Sequence, residues 1–105
     1  DVYQVQVDII DDDTGTTDRW GIVFLKNGQP ITSGITTPTI QVIKGADGTD
    51  LIASTALTQV GALGIYKHDA TTTSRMVDGA LYYVKIQATI DASTRTWYKV
   101  MGRDS

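Results

Sequence analysis

The sequence predicts an all-β fold, a single antiparallel β-sandwich of about seven short strands that spans residues 1–105. The chain contains 16 Thr, 11 Ile and 9 Val, more than a third of its residues, and these β-branched side chains favour extended backbone. Glu is absent and all 12 acidic residues are Asp, which prefers turns to helix interiors. Turn signals recur about every 8–12 residues, which favours a sandwich over a βαβ fold. An open β-barrel is the structural alternative.

Alternation of apolar and polar residues predicts the individual strands. The first strand, residues 2–9, places four apolar side chains on one face: Tyr3, Val5, Val7 and Ile9. The clearest strand, residues 81–90, has five inward positions: Tyr82, Val84, Ile86, Ala88 and Ile90. Further strands are predicted at 19–26, 39–44, 51–57, 64–68 and 94–101. For the last of these, the pattern does not decide which face is buried.

Turn chemistry separates these strands. Asn27-Gly28 predicts a tight hairpin, because both residues tolerate a left-handed backbone. Asp78-Gly79 and residues 91–93 predict two more connections. Pro30 excludes a central strand beside it, so residues 31–38 are expected to form an irregular connection or a short edge strand.

Composition excludes several classes of function. Because the chain has no Cys, it forms no disulfide, thiolate metal site or cysteine nucleophile. The net charge of −3 argues against nucleic-acid binding, which needs a basic surface. No apolar run approaches the roughly 20 residues that span a bilayer, so no membrane partner is expected. Residues 1–18 hold six Asp and no Lys or Arg, whereas 92–105 are mainly basic, so the two ends could attract within or between copies.

The segments Gly64-Ile65-Tyr66, Met76-Val77-Asp78-Gly79 and 81–86 together resemble the closing half of immunoglobulin-like and transthyretin-like β-sandwiches. The resemblance covers most of the chain from Trp20 onward, and it implies that the Tyr82 hydroxyl ties a corner loop to the sandwich. The absence of a Cys pair departs from antibody domains. The Thr-rich, Cys-free composition, with its short Asp-Gly and Asn-Gly turns, is similar to that of immunoglobulin-like bacteriophage virion proteins, such as decoration, fibre and tail accessory domains.

The acidic segment 11–18 is a candidate calcium site, because clustered carboxylates on a Gly-containing loop are hard oxygen ligands. Its candidate ligands are Asp11, Asp13 and Asp18. The segment lacks the Glu that closes an EF-hand loop, and a solvated turn is the favoured interpretation. The acidic segment 47–50 is a weaker candidate, so no metal or other cofactor is expected.

No catalytic constellation is predicted, and the chain is expected not to be an enzyme. The neighbouring carboxylates at 11–13 lack the separation and burial that a glycosidase pair needs. His68 is the single histidine and is expected at the surface. Ser54, Ser74 and Ser93 lie outside any nucleophile-elbow pattern.

Four aromatic residues form a candidate sugar-stacking platform: Trp20, Trp97, Tyr83 and Tyr98. The alternative is core packing for Trp20 and shielding of a sheet face for the others, which is the favoured interpretation.

The leading functional hypothesis is a structural or interaction module located in a virion or on an extracellular surface. Its partners would be other virion or surface proteins or further copies of the chain, with Tyr3, Val5 and Val7 of the first strand as docking elements. The second hypothesis is a carbohydrate-binding module with Trp97 exposed. Enzymatic activity would require another chain to complete a site.

Overall fold

The computed structural model of the chain describes residues 1–11, 18–62 and 64–102. The described residues form nine strands: Tyr3–Asp11 (β1), Asp18–Lys26 (β2), Gln29–Pro30 (β3), Ile35–Lys44 (β4), Asp50–Ala56 (β5), Thr58–Val60 (β6), Ile65–Asp69 (β7), Leu81–Ile90 (β8) and Ser93–Gly102 (β9). A single 3₁₀ turn at Thr72–Ser74 interrupts them. Within these residues, no helix has the length and hydropathy to cross a bilayer.

The strands form two packed sheets in which every pairing is antiparallel. The first sheet has the order β1-β2-β7-β6, with β3 also pairing with β2. The second sheet has the order β5-β4-β8-β9. The predicted all-β sandwich is therefore confirmed at the level of two packed antiparallel sheets.

The core lies between the inner faces of the two sheets. Its fully buried side chains come from the central strands β2, β4 and β8: Trp20, Ile22, Phe24, Ile40, Val42, Val84 and Ile86. Each strand contributes alternate residues because successive side chains point to opposite faces. Burying an aliphatic or aromatic side chain of this kind stabilises the fold by about 1.5–3 kcal/mol.

Strand β9 buries the face that carries Trp97 and Met101. Its register places Trp97 opposite the buried Ile86 on β8, so both side chains point inward. Tyr98 and Val100 consequently face solvent, with 65% and 64% of their surface exposed. Pairing with β8 therefore decides what the sequence pattern left open.

The expectation of an irregular connection or short edge strand at residues 31–38 is wrong over its second half. Strand β4 begins at Ile35, which pairs with Ile90 of the central strand β8. A register shift between Thr36 and Thr39, with Thr37 at φ 48°, lets the strand pass through Pro38. The Pro38 carbonyl still accepts a hydrogen bond from the Leu57 amide at 2.9 Å. The bulge explains how a strand accommodates a residue without an N–H donor.

Two hairpins are closed by pairs of left-handed residues. Asn27 and Gly28 have φ values of 52° and 81°, which confirms the predicted turn. Asp91 and Ala92 have φ values of 51° and 64°, so the connection between β8 and β9 is also a two-residue turn.

Candidate interaction surface

The outer face of the second sheet carries a continuous apolar surface, here called the tyrosine face and defined by Leu81, Tyr83, Tyr98 and Val100. These side chains expose 62%, 48%, 65% and 64% of their surface. Tyr83 pairs directly with Val100 across the ladder between β8 and β9, and Ile43 of β4 lies on its other side. A contiguous apolar patch of this kind, unlike a scattered apolar residue, marks an interaction site.

A lysine borders the tyrosine face. Lys85 lies on the outer side of β8, opposite Tyr98 on β9 and Gln41 on β4. The Gln41 amide donates a hydrogen bond to the Asp50 carboxylate at 2.9 Å. The outer sheet face therefore joins an apolar region to a polar one that contains an ammonium group.

A cleft of about 460 Å³ continues the tyrosine face at the end of the sandwich. This end cleft is lined mainly by apolar groups: Lys44, Gly45, Ala46, Val77, Ala80, Leu81, Tyr82 and Tyr83. Val77 is 65% exposed and begins a turn that is closed by a hydrogen bond from the Ala80 amide to the Val77 carbonyl at 3.2 Å.

One wall of the end cleft is fixed by close backbone contact. The Gly45 amide donates a hydrogen bond to the Leu81 carbonyl at 3.0 Å. A Cβ at position 45 would lie 2.7 Å from that carbonyl oxygen, so only Gly fits without a shift of backbone. The turn between β4 and β5 is thereby attached to the start of β8.

The opposite wall is held by two side chains. The Tyr82 hydroxyl accepts a hydrogen bond from the Val77 amide at 2.8 Å, and the ring itself is buried. The Asp18 carboxylate, which is fully buried, accepts one from the Met76 amide at 2.8 Å. The Arg75 guanidinium lies 3.8 Å from the same carboxylate. These bonds hold residues 76 and 77 against the sandwich and leave the Val77 side chain in solvent.

The four aromatic residues of the predicted sugar platform do not share a face. Trp20 is fully buried in the first sheet. Trp97 lies on the inner side of β9, where its ring packs 5.7 Å from that of Phe24 and its Nε1 donates to the Tyr3 carbonyl at 3.2 Å. The expectation that Trp97 is exposed is wrong, because the register of β9 turns it inward. Tyr83 and Tyr98 alone remain on the outer surface.

The docking residues predicted on the first strand also face inward. Val5 is 4% exposed, and the ring of Tyr3 lies under the Arg95 guanidinium, 3.5 Å from the ring centre. A groove of about 490 Å³ separates β1 from β9, and Lys99 lines it on the same side of β9 as Trp97. Inward-pointing cations on an edge strand oppose pairing with a further strand. The inward side chains of β1 are therefore not available as docking elements.

The Tyr3 hydroxyl donates a hydrogen bond to the Asp91 carboxylate, which also accepts one from the Lys26 ammonium at 2.9 Å. These two donors, with Tyr3 the larger cause, hold the pKa of Asp91 below its usual range. Because the pKa of Asp91 is lower in the folded chain than in the unfolded chain, its carboxylate adds to the free energy of unfolding at pH values above the unfolded-state pKa. This contribution is lost as the pH falls through the folded-state pKa.

We therefore expect Tyr3→Phe to raise the pKa of Asp91, measured from its carboxyl chemical shift in an acid titration by NMR. Asp69 is the matched control, since its low pKa is due first to Arg19 and should stay unchanged. An Asp91 titration that does not move in the variant would contradict the assignment of Tyr3 as the main donor.

Two of the three candidate calcium ligands lie outside what the structure describes, so the calcium site stays a prediction. Asp13 and the Asp11 side chain lie outside the described part of the chain, and the Asp18 carboxylate is engaged by Met76 and Arg75. Asp47 accepts hydrogen bonds from the Thr49 hydroxyl and amide, which in this order lower the pKa of Asp47, as in an ordinary Asx turn. Over residues 1–11, 18–62 and 64–102, no three His, Cys, Asp or Glu side chains lie close enough to hold a metal ion.

His68 lies on β7, directly opposite Trp20 of β2. Partial burial lowers the pKa of His68, and the nearby Asp69 opposes this shift.

Of the residues that form this surface, the sequence analysis named Tyr83 as a candidate but not Val77, Leu81 or Gly45. Leu81 could have been found, because it directly precedes the inward-facing Tyr82 on the same strand and therefore points outward.

Searches against protein-family models, curated proteins and solved structures find no match to this chain.

Proposed function

We propose that this chain is a non-enzymatic structural or interaction module that contacts other proteins through the tyrosine face. The observation that carries the proposal is the contiguous exposure of Leu81, Tyr83, Tyr98 and Val100 on one sheet. Leaving this much aromatic and aliphatic surface in water is unfavourable unless a partner covers it.

The strand order supports an immunoglobulin-like module. A first sheet of β1-β2-β7-β6 facing β5-β4-β8-β9 corresponds to strands A-B-E-D facing C′-C-F-G. In that arrangement Tyr82 falls near the start of the F-equivalent strand, and its hydroxyl reaches back to the amide of Val77. This geometry favours the immunoglobulin-like order over the transthyretin-like one.

The assembly we propose is a bacteriophage virion, with the chain as a decoration, fibre or tail accessory component, or else a bacterial surface assembly. The Cys-free sequence and the core of aliphatic and aromatic side chains suit a module that works outside the cell without disulfides. This location rests on the resemblance in composition and turn pattern.

The first test is weak self-association, because an apolar protein-binding face also attracts its own copies when no partner is present. An interface between two tyrosine faces would contain two Lys85 ammonium groups, so raising the salt should strengthen association by screening their repulsion. We expect the light-scattering mass to rise with protein concentration, and more steeply at about 1 M than at about 0.01 M salt, where the Debye lengths are about 3 Å and 30 Å.

The double variant Tyr98→Ser/Val100→Ser should keep the monomer mass at every concentration. Val2→Ser is the matched control, because Val2 is 59% exposed and lies outside the tyrosine face. A wild-type chain that stays monomeric throughout, or one whose association persists in the double variant, would contradict a protein-binding role for this face.

Carbohydrate binding is the second candidate, favoured by two tyrosines beside the hydrogen-bonding groups of Lys85 and Gln41. It predicts saturable NMR shifts of Tyr83 and Tyr98 on titration with hexasaccharides of glucose or N-acetylglucosamine, with a constant monomer mass. Absence of these shifts across the panel would remove this candidate.

A further inference from the structure

We propose that the end cleft binds an acidic protein segment by taking up one apolar side chain of that segment. The inference rests on the proposed function and specifies the partner's chemistry at one part of the surface. It is carried by the shape of the cleft, by its fixed walls and by the charge around it.

The cleft suits a single apolar anchor. Its volume of about 460 Å³ falls within the usual range for ligand sites, about 300–1,000 Å³. The side chains of Val77 and Leu81 that line it are 65% and 62% exposed, so an anchor placed between them removes apolar surface from water on both sides. Binding energy at protein interfaces is concentrated in such anchored residues.

The walls are already in place before binding. Gly45 is attached to the Leu81 carbonyl, while the Val77 amide is bound to Tyr82 and the Met76 amide to Asp18. A preformed cleft loses little conformational entropy when it is filled, which favours binding of a short segment.

Charge selects an acidic segment. Lys44 lines the cleft and Lys85 borders the adjoining tyrosine face. Within the described part of the chain, neither ammonium has a carboxylate within ion-pair distance, whereas Lys26 and Lys67 do. The Asp47 carboxylate, in the neighbouring turn, is close enough for Lys44 to contribute to its lowered pKa, but among the described residues that line the cleft Lys44 is the only charged one. Carboxylates beside the anchor would neutralise it.

A second copy fits the cleft less well than an acidic partner. An interface between two tyrosine faces would contain two Lys85 ammonium groups, and like charges at an interface are unfavourable. Self-association is therefore expected to be weak and strengthened by salt, whereas binding of an acidic segment should be weakened by salt.

Three capped pentapeptides test the proposal by titration into the full chain with ¹⁵N-labelled backbone. They are Asp-Asp-Phe-Asp-Asp, its basic counterpart Lys-Lys-Phe-Lys-Lys, and Asp-Asp-Ser-Asp-Asp without the anchor. We expect saturable shifts for the first peptide, confined to the amides of residues 44–46 and 76–83, with an affinity at least about tenfold above that of either control. Raising the salt from about 0.01 M to about 0.15 M should weaken this binding.

Val77→Ser should abolish the shifts, because it removes one wall while leaving the backbone bond to Tyr82 intact. Lys44→Glu should reverse the preference toward the basic peptide, and Val2→Ser should change nothing. Equal binding of all three peptides, shifts elsewhere in the chain, or no saturation would overturn the proposal. Val77 lies outside the tyrosine face, so Val77→Ser should keep the salt-strengthened self-association. If that association is kept but the acidic peptide does not bind the wild-type chain, the cleft proposal fails and the proposed function stands.

Discussion

Asp18→Ala is expected to lower the free energy of unfolding by about 3 kcal/mol, measured by urea denaturation. The carboxylate is fully buried and accepts the Met76 amide at 2.8 Å, so its removal leaves a buried N–H without an acceptor. It also removes one negative charge that lies 3.8 Å from the Arg75 guanidinium. Because one third of the Arg75 side chain is exposed, water recovers part of that second loss.

Two comparisons separate the hydrogen bond from the charge. Asp18→Asn keeps a side-chain oxygen for the Met76 amide and should cost clearly less than Ala. Asp69→Ala removes a carboxylate that pairs with Arg19 at 2.7 Å but is 46% exposed, and it should cost less than about 1 kcal/mol. If Asp18→Ala and Asp69→Ala lowered the free energy of unfolding equally, the burial of Asp18 would contribute nothing to stability.

Asp18 also connects stability to the proposed site. Its bond to Met76 positions the next residue, Val77, which forms one wall of the end cleft. Asp18→Ala should therefore weaken binding of the acidic peptide even under conditions in which the chain remains folded. Calcium ligation is not needed to explain why an Asp occupies this position.

Strand β8 was predictable because its two faces differ clearly in polarity. Residues 81–90 follow an Asp-Gly turn and alternate strictly, so the predicted inward set from Tyr82 to Ile90 is the buried set. Strand β9 lacks this contrast, because Trp97 and Met101 on one face compete with Tyr98 and Val100 on the other. The pairing of Trp97 with Ile86 on the neighbouring strand decides which face of β9 is buried, and this pairing cannot be seen in the local sequence.

Pro30 guided the prediction correctly at its own position, but extending its effect to residues 31–38 was wrong. Pro30 lies in the two-residue edge strand β3, as a residue without an N–H donor requires. Pro38 lies inside β4, since a bulge with Thr37 at positive φ absorbs the irregularity. No local signal marks such a bulge, because it depends on β4 pairing on both sides.

The tyrosine face could be anticipated in part, but the end cleft could not. Tyr83 and Leu81 stand at outward parity on a strand whose inward face was evident. The cleft requires the turn after β4 to meet the start of β8 at Gly45, and a Gly in a turn-rich segment does not indicate its neighbour. Sequence parity thus predicts which side chains are exposed, whereas concave sites arise from contacts between distant segments.

Phe24→Ala is expected to lower the free energy of unfolding by about 3–5 kcal/mol, because it opens a cavity between the two sheets. Phe24 is fully buried on β2 and packs edge-on against Tyr66 of the same sheet, with ring centres 5.6 Å apart. Its ring also lies 5.7 Å from that of Trp97 on the opposite sheet. Phe24→Leu retains most of the apolar volume and should cost less, while Val60→Ala, at a side chain 36% exposed, should stay within about 0.5 kcal/mol of wild type.

Phe24→Ala should also make the tyrosine face less rigid, because Phe24 supports that sheet from its inner side. Trp97 and Tyr98 are neighbours on β9, so packing of Trp97 against Phe24 fixes the backbone that presents Tyr98 to solvent. In Phe24→Ala we expect the fluorescence of Trp97 to shift to longer wavelength, which Trp20→Phe in the same background would isolate. Salt-strengthened self-association should fall as well. A variant that loses stability but keeps both the fluorescence maximum and the association would mean that the outer face is held by β8 pairing alone, without support from the core.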